Sequence, residues 1–340
     1  MLPITRTIAD FRKDNGRAIR QVCARFVALC RTMGLLTEAS VAIDGSKFKA
    51  VNNRDKNFTR ASRLKEKIER LKEEMQRLEI LKVKMLATPD QQISLTDPDA
   101  RSMATSGRGS GVVGYNVQIA VEAKHHLIIT HEVTNVGTDR SQLAHVAKAT
   151  KATLDVEKLD VVADRGYFDS EEILTCENAG ITVTLPKPMT SNAKAQGRFG
   201  KQDFRYVAQQ NVYICPAGER LAYHYTTEEN GLVLRRYWTN ACQSCAIKRN
   251  CTTAKERRIT RWEHEHVLEA VQRRLDEYPE KMRQRRETVE HPFGTIKARM
   301  GATHFLTKTL PKVATEMALH VLAYNLKRVM ALLAELLRAM

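Results

Sequence analysis

The chain has 340 residues, enough to bury a sizeable core as one large domain with an insertion or as two domains. Its 55 Lys and Arg against 39 Asp and Glu give a formal net charge of +16, which favours a polyanionic partner such as nucleic acid over an unspecialised basic surface. The sequence has no continuous apolar run of about 18 residues and no apolar signal core near its N-terminus, so we expect a cytoplasmic chain without a membrane span.

Residues 1–37 are predicted to form a helical N-terminal segment. Asn15 is a candidate N-cap and Gly34 a candidate C-terminal stop, with apolar positions such as Ile19 and Phe26 at helical spacing between them. A longer helix is predicted over residues 60–86, where apolar positions recur at spacings of three and four. It is expected either to dock as an amphipathic helix or to dimerise through about three heptads.

Residues 38–186 are predicted to form the first part of a catalytic core. The predicted strands are residues 41–44, a β-hairpin of 114–122 and 127–134, and the later strands 159–163 and 181–185. Helices are predicted from Asp139 or Ser141 to Leu154 and over residues 170–178, with Ser170 as the cap of the second. This order, with three antiparallel strands first and then strands joined by helical crossovers, is ribonuclease-H-like. We therefore expect an α/β fold with a mixed sheet and flanking helices.

Residues 187–260 interrupt this pattern. Short strand-like runs and polar turns predict a β-rich insertion, in which four cysteines cluster: Cys215, Cys242, Cys245 and Cys251. Four thiols that include a Cys-x2-Cys pair are typical of a tetrahedral Zn²⁺ site, and reduced structural thiols are the alternative.

Residues 261–340 are predicted to be the helical, C-terminal part of the catalytic core. One charged helix is expected over residues 262–283 and another over residues 311–338. A break is expected between them at His291-Pro292, because proline lacks the N–H that continues a helix.

Three isolated carboxylates are candidate metal ligands. Asp44 and Asp164 each follow a predicted strand, and ligands gather at the carboxyl ends of strands in open α/β sheets. Glu290 has Arg286 four residues before it and Lys297 seven after it, nearly on one helical face. This pattern suits a two-metal site for a phosphodiester, with Mg²⁺ or Mn²⁺ as the ions. The alternative is that Asp44 and Asp164 cap turns and that Glu290 pairs with Arg286.

Several motifs resemble those of DDE transposases from bacterial insertion sequences. The spacing Arg286-x3-Glu290-x6-Lys297 is similar to the signature Y-(2)-R-(3)-E-(6)-K, with Arg283 at the Tyr position. Other motifs resemble the insertion sequence 4-like superfamily and its insertion sequence 1182 group: DGSKFKA (44–50), TDPDAR (96–101), GYNVQIAVE (114–122), ADRGYF (163–168), YICPAGE (213–219), EHPFGTIK (290–297) and YNLKR (324–328). That group usually carries a further N-terminal helical region. The motifs of this chain begin part-way into the group's pattern, so a truncated or partial chain is expected.

The resemblance implies a transposase that cleaves strands at the ends of an insertion sequence and transfers them to target DNA. It implies Asp44, Asp164 and Glu290 as catalytic ligands of two Mg²⁺ or Mn²⁺ ions. Two alternatives from other classes remain open. One is a non-catalytic DNA-binding descendant of such an enzyme, and the other is a ribonuclease-H-like nuclease without strand transfer.

The implied partner is double-stranded DNA, comprising the terminal inverted repeats of the element and the target, with self-association of the protein on DNA in the bacterial cytoplasm. Two of the expected DNA contacts flank Glu290, and two lie in the turn after Asp164. The expected DNA-binding residues are Arg286, Lys297, Arg165 and Tyr167.

Overall fold

The computed structural model describes residues 10–36, 40–50, 57–59, 75–88, 90–103, 111–188 and 193–339. The chain divides into two compact units. Unit 1 comprises Met1–Pro186 and Arg274–Met340, and unit 2 comprises Lys187–Arg273.

Unit 1 is built on a mixed sheet. In chain order the strands of this unit are β1 (Ser40–Lys49), β2 (Asn57–Thr59), β3 (Gln92–Ser94), β4 (Arg101–Met103), β5 (Val112–Glu122), β6 (Ile128–Thr134), β7 (Leu159–Ala163) and β8 (Ile181–Thr184). β5 is antiparallel to β1, β4 and β6, whereas β7 is parallel to β1 and β8 is parallel to β7. β2 and β3 pair separately. The predicted mixed α/β class is confirmed, with the antiparallel strands first and the parallel strands after them.

Seven α-helices lie within the described residues. They are α1 (Gly16–Thr32), α2 (Met75–Leu86), α3 (Leu143–Leu154), α4 (Ser170–Asn178), α5 (Glu265–Glu277), α6 (Lys281–Gly294) and α7 (Leu310–Ala339). α5 begins in unit 2 and ends in unit 1, and the other six belong to unit 1. α3 and α4 are the crossovers that lead to β7 and β8. Of the helix predicted over residues 60–86, only the part from residue 75 onward lies within the described residues. The N-cap of α4 is Asp169, whose carboxylate accepts from two backbone N–H groups, and not Ser170 as predicted.

The core of unit 1 forms where α6 and α7 cover the sheet. One connected cluster of buried side chains includes Val117, Ile119, Val289, Phe293, Val313, Met317 and Val321. By length and composition alone, Leu310–Glu335 could cross a membrane. Charged and polar residues interrupt its apolar run, so it lacks a continuous apolar stretch of about 18 residues. Its apolar face is the one that packs on the sheet, as in the core helix of a globular domain.

Two predicted element bounds are wrong. β1 does not end at Asp44, because residues 44–49 continue to pair with β5, from Asp44 opposite Ile119 to Lys49 opposite Gly114. The helix predicted over residues 262–283 is instead two helices, α5 and the start of α6. They are separated at Pro279, whose missing N–H cannot continue α5.

The predicted break at Pro292 is also wrong, since α6 continues through this residue to Gly294. Pro292 is buried, as are Val289 and Phe293 on the same side of the helix, and this burial offsets the lost hydrogen bond. The helix changes its winding just afterwards. A π-helical turn spans Thr295–Arg299, and the N–H of Met300 donates to the carbonyl of Thr295, five residues earlier, at 3.0 Å.

Unit 2 contains an antiparallel five-stranded sheet in the order β13-β12-β11-β10-β9. The strands are β9 (Arg205–Val207), β10 (Val212–Ile214), β11 (Arg220–Glu229), β12 (Leu232–Trp238) and β13 (Ile259–Trp262). One face carries a small, mostly aromatic core of Phe204, Tyr213, Leu221, Tyr237 and Ile259. Much of β11 is exposed, so this sheet buries little apolar surface for its size.

Candidate active site

The fold places Asp44 and Asp164 side by side at the centre of the unit 1 sheet. β1 and β7 are adjacent and parallel, and their last paired residues are Ile43 and Ala163. Asp44 is the next residue after Ile43, and Asp164 is the next residue after Ala163. Because the strands run in the same direction, both carboxylates emerge at the same level of the sheet.

Arg285 bridges the two carboxylates. Its Nη2 atom lies 3.5 Å from Oδ1 of Asp44 and 3.4 Å from Oδ2 of Asp164. The arginine side chain is only 11% exposed, compared with 22% for Asp44 and 46% for Asp164. One guanidinium on α6 therefore partly neutralises both acids from the side of the helix.

Asp139 is a third acidic residue at this place, and the sequence analysis had considered it only as the start of a helix. Its Oδ1 accepts hydrogen bonds from Nδ2 of Asn116 at 2.6 Å, Nε2 of Gln118 at 2.9 Å and Nζ of Lys47 at 3.2 Å. In the sequence this residue follows Gly137-Thr138, which looks like an ordinary turn. The only signal that could have found it was a further acid between two predicted elements of the core.

The electrostatics of Asp44 reflect this crowding. Burial raises its pKa to about 6; Arg285 opposes that rise, and the negative charges of Asp164 and Asp139 add to it. Since three carboxylates share a partly buried space, the cluster favours a bound cation.

Two glycines make room for the polar groups. A Cβ atom at Gly45 would lie 2.6 Å from Nε2 of Gln118 and 2.8 Å from Oδ1 of Asp139. A Cβ atom at Gly166 would lie 2.9 Å from Oδ1 of Asp164, which accepts the backbone N–H of Gly166 at 2.6 Å. A side chain at either position would therefore displace an acid or its hydrogen-bond partner.

Lys297 reaches the same region from the π-helical turn. Its ammonium donates to Oγ of Ser46 and, at 3.2 Å, to the carbonyl of Lys47, both on β1. It also lies 4.6 Å from the ring centroid of Phe48. Burial lowers the pKa of Lys297, and the nearby carboxylate of Asp44 opposes this change. Lys297 thus places a positive charge near Asp44, and its hydrogen bonds to Ser46 and Lys47 fix it against β1.

Glu290 lies elsewhere on α6. It is exposed, and it is five positions from Arg285, which is about 140° around the helix. Of these two residues of α6, Arg285 is the one whose side chain contacts the aspartates. Arg286 is exposed on the same helix, and Arg165 is exposed in the turn after Asp164.

Tyr167 does not reach the surface. Its side chain is fully buried, and its hydroxyl donates to Oε1 of Gln118, whose amide nitrogen donates to Asp139. Burial raises the pKa of Tyr167 well above its ordinary value, so the phenol stays protonated as a donor. Tyr167 thus holds the amide of Gln118 in the orientation that donates to Asp139.

The two neighbouring aspartates fit one hard cation. Mg²⁺ is commonly bound by one or two carboxylates together with waters and substrate phosphates, and Asp44 and Asp164 supply such a pair. Across the described parts of the chain, however, no three His, Cys, Asp or Glu side chains are already arranged as ligands of one metal ion. The four clustered cysteines of unit 2 do line one common cavity.

Comparison with known proteins gives one family match. Residues 214–330 match the family model described as transposase DDE domain. This stretch contains the four clustered cysteines, Arg285, Glu290 and Lys297, and it leaves out the strands that carry Asp44 and Asp164. No curated protein matches the chain.

One similar solved structure is the cryo-EM structure of the piggyBac transposase synaptic complex with hairpin DNA. The sequence identity is 9%, and the alignment covers 85% of this chain and 46% of that chain, with a TM-score of 0.32. This chain therefore spans less than half of the length of that protein.

Proposed function

We propose that this chain is a DDE transposase that cuts double-stranded DNA at the ends of an insertion sequence and joins the freed ends to a target. The observation that carries this proposal is the adjacent pair Asp44 and Asp164 at the centre of a mixed sheet, flanked by Arg285 and Lys297. The match of residues 214–330 to the transposase DDE domain supports the same reaction class. The net charge of +16 supports a DNA partner.

In this proposal Asp44 and Asp164 hold Mg²⁺ or Mn²⁺. When bound, such ions activate the attacking oxygen and stabilise the leaving oxygen of a phosphodiester. Arg285 keeps the two carboxylates together before a metal binds. Asp139 orients the amides of Asn116 and Gln118 beneath them.

The third metal ligand has two candidates in unit 1. Glu290 has the position that the resemblance implies, and it lies on the same helix as Arg285. Asp139 already lies near the pair. Its Oδ2 is 3.7 Å from the point that a Cβ atom would occupy at Gly166, the second residue after Asp164. We retain Glu290 as the proposed ligand and assign Asp139 to positioning, a division that mutagenesis can test.

The DNA contacts proposed for this site are cationic. Arg286 and Arg165 are exposed and free to bind phosphate oxygens, and arginine can do so through two parallel hydrogen bonds. Lys297 would act on the phosphate nearest to Asp44, after releasing Ser46. Tyr167 is left out of these contacts because its ring is buried.

The test is a cleavage and strand-transfer assay on DNA that carries the element ends, with Mg²⁺ or Mn²⁺ supplied. Asp44→Asn and Asp164→Asn should each abolish cleavage while DNA binding is retained, because a neutral amide is a poor ligand for a hard cation. Glu290→Gln should do the same, whereas Asp139→Asn should lower the rate and leave some activity. Asp155→Asn is the matched control, since Asp155 is an exposed residue in the left-handed conformation that Asn tolerates.

The assay separates the alternatives. Wild-type cleavage in both Asp→Asn variants would reject the proposed site. Specific binding of the ends without any cleavage by the wild type would favour the non-catalytic descendant. Cleavage without joining would favour a nuclease. Full activity of Glu290→Gln with none in Asp139→Asn would move the third ligand to Asp139.

A further inference from the structure

The four cysteines of unit 2 come from three separate stretches of chain. Cys215 follows β10 directly, Cys242 lies in the short helical turn Asn240–Gln243 with Cys245 just after it, and Cys251 ends the turn Lys248–Asn250. All four are free thiols, and all are partly buried. None of them takes part in the chemistry proposed for unit 1.

These thiols line one small cavity. The cavity has a volume of ≈ 20 Å³, which is room for a single occupant of about the size of water. Its other walls are mostly apolar, and they include Phe199, Phe204 and Leu221. Two cations, Lys248 and Arg257, line it as well.

Short turns fix the backbone at Cys215, Cys245 and Cys251. The N–H of Gly218 donates to the carbonyl of Cys215 at 2.9 Å, and Gly218 has a φ of +84° that a side chain would strain. The N–H of Lys248 donates to the carbonyl of Cys245 at 3.2 Å, and that of Cys251 to the carbonyl of Lys248 at 2.9 Å. These turns hold three of the four cysteines at the cavity, and Cys242 lies in the short helical turn Asn240–Gln243.

We propose that Cys215, Cys242, Cys245 and Cys251 together bind one structural Zn²⁺ ion. Four thiolates form four Zn–S bonds in a tetrahedral site, and each thiol releases its proton to solvent as it binds, with no change of oxidation state. The complex carries a net charge of −2, which Lys248 and Arg257 offset. Since no three side chains in the described residues already surround one point as ligands, binding includes rotation of the cysteine side chains about their Cα–Cβ bonds.

The shared cavity and the partial burial of all four cysteines bring their side chains together. Partial burial alone would explain inert thiols, but it would not gather four of them from three stretches around one cavity.

A zinc ion would give unit 2 the stability that its small core lacks. Cys215 and Cys251 are the two cysteines that pack against the aromatic cluster around Tyr213 and Tyr237. A zinc ion bonded to both sulfurs would fasten the turn after β10 and the turn Lys248–Asn250 to that cluster. Small domains with few buried side chains often depend on such a metal.

The test uses the full chain purified without chelator. Elemental analysis should give about one zinc per chain, as one four-thiolate site requires. Replacement by Co²⁺ should give the intense thiolate-to-cobalt absorption of a tetrahedral site. Both tryptophans of the chain, Trp238 and Trp262, lie in unit 2, so removal of the metal should lower the urea midpoint of tryptophan fluorescence.

Two variants separate zinc binding from general damage. Cys245→Ser should lose nearly all of the zinc and the cobalt absorption. Cys30→Ala is the matched control in unit 1, where the thiol is buried in α1, and it should keep both. Wild-type protein that stays free of zinc and gives no cobalt absorption at an excess of either metal would overturn the proposal, whether or not the serine variant folds. A disulfide between any two of the four cysteines in protein kept under reducing conditions would overturn it as well.

Discussion

At the scale of single residues, Arg285 is the side chain that the spacing argument missed. The sequence emphasised Arg286 because its distance from Glu290 matches a signature, yet the adjacent Arg285 is the one that contacts both aspartates. One position along a helix changes the direction of a side chain by about 100°. Which of two consecutive arginines faces the sheet therefore depends on how the helix packs.

Replacement of Arg285 by Ala should destabilise unit 1 when chelator is present. Two neighbouring carboxylates lose their shared cation, at a cost of roughly 1–2 kcal/mol for a partly exposed group. Addition of Mg²⁺ should recover more stability in Arg285→Ala than in the wild type, because no guanidinium competes for the carboxylates. Urea unfolding followed by circular dichroism, with and without Mg²⁺, measures both effects.

The adjacent residue supplies the control for this prediction. Arg286→Ala removes an equal charge from the same helix at an exposed position, so its stability should be close to that of the wild type in chelator. Equal losses in both variants would show that Arg285 acts only through the overall charge of α6. An Arg285→Ala variant that Mg²⁺ fails to stabilise would argue against a cation site at Asp44 and Asp164.

At the scale of elements, the beginning of α5 is held by a buried ion pair. Glu265 is only 7% exposed; its carboxylate accepts from Nζ of Lys201 at 2.6 Å and from the N–H of Trp262 at 3.1 Å. Burial raises the pKa of Glu265, but Lys201 and the backbone hydrogen bond outweigh burial and leave the pKa lowered. Burial lowers the pKa of Lys201 in spite of this carboxylate. The pair thus links α5 to the loop before β9 within unit 2.

The stability of unit 2 should depend on this carboxylate in acid. Because its pKa is lowered in the folded state, Glu265 contributes stability that is complete above its unfolded pKa of about 4.3. That stability is lost as the pH falls through the lower, folded pKa. Glu265→Gln should be less stable than the wild type at neutral pH and should lose less on acidification.

Tryptophan fluorescence can measure this loss, since both tryptophans lie in unit 2. Urea midpoints at pH values from 7 to well below 4.3 give the dependence for each variant. Glu263→Gln is a suitable control, because Glu263 is nearby and its side chain is 36% exposed. If Glu265→Gln and the wild type lose equal stability in acid, the lowered pKa of Glu265 makes no contribution.

At the scale of the whole molecule, the charge of +16 predicts binding to DNA that weakens steeply with salt. Arg286→Ala should reduce the slope of log K against log salt by roughly one unit, because one phosphate contact is lost. Filter binding or fluorescence anisotropy over a salt series measures this slope. Arg31→Ala should leave the slope unchanged, since Arg31 already pairs with Asp155 on another part of unit 1. Equal slopes for Arg286→Ala and the wild type would remove Arg286 from the DNA contacts.

The sequence by itself determined the main elements of the unit 1 core and their order. Apolar runs and turn residues predicted the β5–β6 hairpin, the strand Leu159–Ala163 and the C-terminal helix close to their observed bounds, because these patterns reflect burial along one strand or helix. They also identified Asp44 and Asp164 as acids that follow two predicted strands. Local chemistry was enough for these predictions.

Only the tertiary structure decided which side chains meet at the site. The continuation of β1 past Asp44 depends on its pairing with β5, and the helix continues through Pro292 because its buried side packs on the sheet. The contacts of Arg285 and Asp139, and the exposure of Glu290, follow from the packing of α6 and the path of one loop. A sequence fixes spacing along the chain, whereas these contacts depend on packing between residues that are far apart in it.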